Sequence, residues 1–197
     1  MMDKREITAF FDSYAESWDA DMIKCQWKID KILDVAGVSK GKTVLDVACG
    51  TGVLIPDYIN RKITKCVAVD ISSKMIEIAK SKFSDYREIE FICADAETFD
   101  FSEKFDCIVI YNAFPHFDNC ELLFENLSSF LKRNGRITVA HGMSRESIIK
   151  HHSGVAKNIS RILPEAEELS DILKKYLKVD TVVSTDEIYI VSGKSIK

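Results

Sequence analysis

Short apolar runs alternate with amphipathic stretches along most of the chain, a pattern typical of a parallel sheet covered by helices. Seven runs have the length and apolar content of strands, and they span residues 43–48, 65–70, 89–94, 105–111, 136–141, 179–184 and 187–192. Only Asp186 and its neighbours separate the last two runs, which predicts a hairpin and one antiparallel strand. We therefore expect an α/β fold with a seven-stranded, mostly parallel, doubly wound sheet and a C-terminal antiparallel hairpin strand.

Apolar residues recur at helical spacing between these runs. Ser72 can cap a helix that follows the second strand. A second pattern of apolar residues three and four apart runs from Leu122 to Leu131. Asn134-Gly135 is then predicted to end that helix and to turn the chain into the fifth strand.

Two further helices are predicted within residues 1–40, ahead of the first strand. The second ends near Gly37, and we expect it to pack on the sheet. The first carries an aromatic stripe that includes Phe10, Tyr14 and Trp18, more aromatic surface than a covering helix needs. We expect part of this stripe to close over a ligand as a lid. Residues 142–164 form a long polar connection, which predicts a wall or cover for a substrate.

Length and charge narrow the function. The 197 residues suffice for a single domain, which we expect to cover 1–197. The net charge is -4 and charges of both signs are mixed, so no nucleic-acid partner is expected. No apolar window is long enough for a membrane span, and no leader is visible. The six cysteines contain no Cys-x-x-Cys pair, which indicates reduced thiols in a cytoplasmic protein and no zinc site.

A tight turn after the first strand points to a nucleotide-like ligand. The turn runs from Asp46 to Gly52, and small residues let its backbone approach a ligand closely. Ala48 and Ile55 stand where an NAD-binding turn would carry glycines, and no Gly-Lys-Ser/Thr of a phosphate-binding loop follows. The Asp46 carboxylate would repel a pyrophosphate and favour a cationic ligand.

Four motifs in order resemble those of the class I S-adenosylmethionine-dependent methyltransferases, over essentially the whole chain. They are the Asp46 turn, the acidic end of the second strand at Asp70, Asp95-Ala96 after the third strand, and residues 105–117 at the fourth. The resemblance implies a Rossmann-like fold and S-adenosylmethionine as cofactor. The cofactor-binding residues that it implies are Asp46, Ala48, Cys49, Gly50, Gly52, Asp70, Ile71, Asp95, Ala96 and Asn112.

The resemblance also implies a role for each motif. The turn would wrap the methionine part of the cofactor, with Asp46 near its amino group, and Asp70 would accept the ribose hydroxyls. Asp95 and the N–H of Ala96 would read the adenine edge. Ala48 departs from the family glycine and tightens the turn.

Candidate catalytic residues lie after the fourth strand and on the first helix. His116 is the preferred general base, and His141 and Tyr14 are further candidates. His151-His152 is expected on a solvated helix, and no metal site is expected.

The DNA-methylating signatures Asn/Asp-Pro-Pro-Tyr/Phe and Pro-Cys are absent from the sequence, which favours a small-molecule methyl acceptor. The N-terminal aromatic segment is similar to the ubiquinone and menaquinone biosynthesis methyltransferases. Two alternatives stay open, an NAD-type dinucleotide-binding oxidoreductase and a non-catalytic S-adenosylmethionine-binding protein. The acceptor atom and the oligomeric state are left open by the sequence.

Overall fold

One seven-stranded sheet organises the chain, for which a computed structural model describes residues 2–20, 24–154 and 156–196. The strands are β1 (Thr43–Val47), β2 (Lys65–Asp70), β3 (Ile89–Cys93), β4 (Phe105–Tyr111), β5 (Leu131–His141), β6 (Leu177–Ser184) and β7 (Tyr189–Ser195). Their spatial order is β3-β2-β1-β4-β5-β7-β6. Strands β1 to β5 pair in parallel, and β7 is antiparallel to both β5 and β6. The predicted α/β sheet and its terminal hairpin are confirmed.

Helices cover both faces of this sheet. Within the described residues they are α1 (Lys4–Tyr14), α2 (Gln26–Val35), α3 (Ile55–Asn60), α4 (Ser73–Lys82), α5 (Cys120–Ser129), α6 (Arg145–His152) and α7 (Ala166–Leu173). Helix α2 ends two residues before Gly37, which adopts a positive φ of 73°. None of the described helices combines the length and the apolar character that a membrane crossing requires.

Side chains that alternate along the central strands build two apolar layers. Leu45 and Val47 of β1 face one cluster, which includes α5 and α7. Val44 faces the opposite cluster, which includes Ile29 of α2 and Tyr58 of α3. Because successive residues of a strand point to opposite faces, the nearly continuous apolar run of β1 requires helices on both sides.

The strand order reverses beside β1, whose neighbours are β2 on one side and β4 on the other. Connections leave the carboxyl ends of these strands in opposite directions, which opens a crevice there. The loops after β1, β2, β4 and β5 therefore surround one space.

The prediction for Asn134-Gly135 was wrong. Helix α5 ends at Ser129, and these two residues lie inside β5 at an irregularity in its pairing with β4. Asn134 adopts a φ of 62°, and a Cβ on Gly135 would lie 2.8 Å from the carbonyl oxygen of Phe105. Asn134-Gly135 forms a bulge and not a turn, because the residues on both sides of it pair with β4.

We predict that Gly52→Ala lowers the free energy of unfolding by about 2 to 4 kcal/mol. Gly52 has a φ of 86°, and an added Cβ would lie 2.7 Å from Cε2 of Phe83. Gly41→Ala is the matched control, because Gly41 has a φ of 84° with nothing within 4 Å of an added Cβ. It should lose only about 1 to 2 kcal/mol, the strain of the left-handed backbone. Urea unfolding measures both, and equal losses would contradict the contact with Phe83.

Candidate functional site

A cavity of about 660 Å³ opens at the carboxyl ends of the parallel strands. Its floor includes Ala48 after β1, Ile71 after β2, Asn112 after β4 and His141 at the end of β5. Helix α1 and the residues that follow it up to position 20 form its roof. The cavity is large enough for a nucleoside-sized ligand together with a small second molecule.

The turn after β1 forms one wall of the cavity. Ala48 has a φ of 57° and Gly50 a φ of 54°, so both adopt the left-handed conformation. The N–H of Gly52 donates to the Cys49 carbonyl at 3.0 Å, which closes the turn. Alanine tolerates the left-handed region less well than glycine, so Ala48 holds the strained position that glycine occupies more easily.

Asp70 connects this turn to the end of β2. Its Oδ2 accepts the N–H of Gly50 at 2.9 Å, and its Oδ1 accepts the N–H of Ser72 at 2.9 Å. The side chain lines the cavity and is otherwise buried. Burial raises the pKa of Asp70, and the backbone N–H groups of Ser72, Gly50 and Ile71 oppose that rise. Each carboxylate oxygen keeps a further lone pair, so Asp70 can accept hydroxyl donors from the cavity.

Asp46 lies behind this wall. It is buried beside Tyr58, and no described residue hydrogen-bonds its Oδ2. Burial raises its pKa to about 8, so the carboxyl is protonated at neutral pH. A cation brought close to it would lower that pKa and favour the carboxylate. Asp46 and Gly52 are the two predicted cofactor residues that do not line the cavity.

Asp95 and Ala96 lie at the far end of the cavity from β5. Oδ1 of Asp95 accepts the N–H of Glu97 at 3.0 Å, and its Oδ2 contacts Nζ of Lys4. The same Nζ reaches Oε2 of Glu97 at 2.7 Å. An ion pair therefore joins the first turn of α1 to the loop that was predicted to read an adenine ring.

Two more polar contacts hold the N-terminal segment over the cavity. Oδ1 of Asp12 accepts a hydrogen bond from the Ser72 hydroxyl at 2.5 Å, and Ser72 is also the residue whose N–H donates to Asp70. Asp19 accepts the Thr51 hydroxyl at 2.6 Å and pairs with Lys82 at 2.7 Å. The roof is thus fixed to the loops after β1, β2 and β3. Whether it opens as a lid stays a prediction.

Aromatic rings form the underside of this roof. Phe10 packs against Tyr14 with ring centroids 4.6 Å apart, and Phe11 packs edge to face with Trp18 at 5.7 Å. Nε1 of Trp18 lies 3.6 Å from the position of a Cβ on Gly50, so the indole approaches the turn closely. The predicted aromatic stripe of α1 does face the cavity.

His116 follows β4 and lines the cavity. Its Nδ1 lies 2.9 Å from the Ile159 carbonyl oxygen and 3.2 Å from the Ser160 hydroxyl. A carbonyl accepts only, so Nδ1 carries the proton and Nε2 keeps a lone pair. Burial lowers the pKa of His116, which keeps the ring neutral at pH 7.

His141 and His152 lie beside His116. The His152 ring packs against His116 in a tilted arrangement, with 4.9 Å between ring centroids. Burial, with smaller effects of His152 and His116, lowers the pKa of His141 to about 3. Burial also lowers the pKa of His152, to about 4. The expectation of a solvated His151-His152 pair was wrong for His152, whose ring is half-buried against His116, whereas His151 is exposed although it also lines the cavity. The spacing of Ile148 and His152, four residues apart on one helix face, was the signal available in the sequence.

Most predicted site residues meet at this cavity. The lining includes the predicted residues Tyr14, Ala48, Cys49, Gly50, Asp70, Ile71, Asp95, Ala96, Asn112, His116 and His141. Sequence reasoning missed the lining residues Lys4, Glu97, Tyr111, Met143 and His152. Asn112 has a φ of 54°, and its Oδ1 accepts the N–H of Gly142 at 2.9 Å, which ties the end of β4 to the end of β5. In the part of the chain that the structure describes, no group of three or more His, Cys, Asp or Glu side chains could hold a metal ion.

Comparison with known proteins places this site in a family. A family model described as a methyltransferase domain matches residues 44–135, which include β1 to β4 and their loops. A malonyl-[acyl-carrier protein] O-methyltransferase of Ilyobacter polytropus is 31% identical over 139 residues, which are 70% of this chain and 52% of that protein. A ubiquinone/menaquinone biosynthesis C-methyltransferase of Francisella tularensis subsp. novicida is 30% identical over 69% of this chain and 59% of its own length. The chain spans about half the length of the first of these relatives.

A solved structure shows the same fold. The N-methyltransferase NodS of Bradyrhizobium japonicum, in complex with S-adenosyl-L-homocysteine, superposes with a TM-score of 0.69 at 13% identity over 87% of each chain. The family match, the relatives and this fold agree with the order of motifs along the chain. Residues 44–135 therefore match a methyltransferase domain, and the relatives and the fold support a class I S-adenosylmethionine-dependent methyltransferase, a family that uses S-adenosylmethionine as its methyl donor.

Proposed function

We propose that this chain transfers the methyl group of S-adenosylmethionine to a small-molecule acceptor by in-line displacement. The observation that carries the proposal is the position of Asp70 and His116 in the walls of one cavity, under an aromatic roof. Asp70 offers a carboxylate to hydroxyl donors, and His116 offers a neutral imidazole nitrogen. A binding group and a proton acceptor thus share one enclosed space.

The residues of the cavity fit the cofactor. The two oxygens of Asp70 accept the N–H groups of Gly50 and Ser72, which leaves lone pairs for ribose hydroxyls. Trp18 lies close to Gly50, so a side chain at position 50 would narrow the cavity between the indole and the turn. Ile71 and Ala96 supply apolar surface on the two sides of the position proposed for the adenine ring.

Methyl transfer needs alignment more than acid or base strength. When bound, the cofactor supplies a methyl group on a sulfonium, whose sulfur leaves as a neutral thioether with the bonding electron pair. The roof of α1 excludes water, and the ends of β4 and β5 orient the acceptor toward the methyl. As the acceptor atom forms its new bond to carbon, Nε2 of His116 takes the proton that this atom loses. The Ile159 carbonyl then stabilises the imidazolium through Nδ1.

The enclosed shape favours a small acceptor. Contacts of Asp12 and Asp19 hold the N-terminal segment against the loops, so a polymer chain would meet the roof before the methyl. The methyltransferase family match favours this function over that of an NAD-type oxidoreductase. A non-catalytic S-adenosylmethionine-binding protein would keep Asp70 without needing a proton acceptor at His116.

Turnover tests the proposal directly. Incubation of the purified chain with radiolabelled S-adenosylmethionine and a small-metabolite extract should move label into an extractable product. Heat-treated chain is the control. If S-adenosylhomocysteine binds and no label moves into any extract fraction, the chain is a binding protein and the catalytic proposal fails.

We predict that Asp70→Ala weakens S-adenosylhomocysteine binding by at least about 100-fold, because two charge-assisted hydrogen bonds are lost. Isothermal titration calorimetry measures the affinity. Asp100→Ala, at an exposed carboxylate away from the cavity, should leave it unchanged. NADH binding to the unaltered chain without S-adenosylhomocysteine binding would contradict the proposal.

We predict that His116→Ala lowers kcat by about 100-fold or more with little change in cofactor affinity. His116→Gln should be equally slow, because its amide can donate to the Ile159 carbonyl but cannot take a proton. If His116→Gln restores the rate, His116 serves structure alone.

The pH profile of kcat provides a second measurement of this role. Catalysis needs the neutral imidazole, so kcat should fall as the pH drops through the pKa of His116. Because burial lowers that pKa from 6.5, the fall should lie below pH 6.5 and the rate should be level from pH 7 to 8. A fall centred above pH 6.5 would assign the base to another group.

A further inference from the structure

Among the residues that the structure describes, no Asp, Glu, Lys or Arg side chain lines the proposed acceptor end of the cavity. We define this end by the lining residues Tyr14, Tyr111, Asn112, His116, His141, Met143, Ile148 and His152, with the exposed His151 of α6 at its edge. The charged lining residues belong to the N-terminal segment and the cofactor loops, namely Lys4, Lys24, Asp70, Asp95 and Glu97. Lys4 is paired with Asp95 and Glu97, and Nζ of Lys24 donates to the Val53 carbonyl at 2.6 Å.

His141 carries an unused polar atom at this end. Its side chain is 1% exposed, and no described residue hydrogen-bonds its Nε2. Nδ1 of His152 is likewise buried without a partner among the residues described. Buried polar atoms in folded proteins are nearly always paired, so two such nitrogens on one cavity wall indicate a hydrogen-bonding ligand.

The same rings carry no charge at neutral pH. Burial lowers the pKa of His141 to about 3 and that of His152 to about 4, and it also lowers the pKa of His116. An anionic group at this end of the cavity would lose its hydration without gaining a lysine or arginine partner. An ammonium group would lose its hydration without gaining a carboxylate partner. An uncharged group that hydrogen-bonds to imidazole meets neither penalty.

We propose that Nε2 of His141, together with Nδ1 of His152, binds the polar group of the methyl acceptor and selects acceptors that enter uncharged and carry a hydrogen-bonding group. The inference rests on the proposed function and names its substrate class. It separates this chain from the malonyl-[acyl-carrier protein] O-methyltransferases to which it is similar, since a malonyl carboxylate is an anion. His141 is the last residue of β5. The next residue, Gly142, donates its N–H to Asn112, which ties this strand end to the end of β4.

Four ligands of one ring size test the proposal. Phenol, toluene, benzoate and benzylammonium are titrated by ligand-observed NMR into the full chain saturated with S-adenosylhomocysteine at pH 7. Phenol should bind about fivefold or more tightly than toluene, because only phenol has a hydroxyl group that can hydrogen-bond to a neutral imidazole. It should bind about tenfold or more tightly than the two ions. Benzoate or benzylammonium binding as tightly as phenol would overturn the proposal.

Two variants of His141 assign the preference to this residue. His141→Leu should remove the difference between phenol and toluene, whereas His141→Gln, which keeps a hydrogen-bonding amide, should retain most of it. An unchanged phenol preference in His141→Leu overturns the proposal. If His141→Leu does not fold, as judged by circular dichroism, His152→Leu on the half-buried ring takes its place and should reduce the same difference.

The binding of S-adenosylhomocysteine separates this inference from the proposed function. The His141 and His152 variants should bind it with unchanged affinity, because neither residue belongs to the loops proposed to hold the cofactor. If the unaltered chain does not bind S-adenosylhomocysteine, the proposed function fails first. If it binds and the ring ligands show no order of preference, only the present inference fails.

Discussion

The hydrogen bonds that the Asp70 carboxylate accepts from two loops are the interaction on which the rest of the site depends. One of its oxygens accepts the N–H of Gly50 and the other accepts the N–H of Ser72, both at 2.9 Å. These bonds fix the turn after β1 relative to the start of α4. A charged acceptor can remain in a buried position because oriented backbone N–H groups replace water. The shape of the cavity wall follows from this one side chain.

The roof depends on the same region. Asp12 of α1 contacts Ser72, so the N-terminal helix rests on the residue that Asp70 holds. Lys4 and Asp19 extend the contact to the loops after β3 and β1. Charge is therefore concentrated around the loops after β1, β2 and β3, where carboxylates and lysines pair with each other. The acceptor end contains neutral rings, so one cavity offers two environments of different polarity.

Much of the fold was predictable because the spacing of apolar residues along the sequence differs between strands and helices. Strands β2 and β4 were predicted with their observed bounds, since apolar runs end at the acidic or polar residues that reach the cavity. Asn134-Gly135 was misread, because its left-handed backbone suits a helix end and a strand bulge equally well. The inward turn of His152 was missed, because α6 carries only Ile148 as a buried residue and gives a weak pattern.

The sequence by itself determined the sheet, its terminal hairpin and the order of the motifs that identify the methyltransferase family. These features depend on residues near each other in the chain. Tertiary structure alone decided that Lys4 meets Asp95, that Asp46 lies behind the wall and that His116, His141 and His152 share one space. Contacts between residues far apart in sequence, and the burial that sets the charge of a histidine, arise only when the strand ends come together.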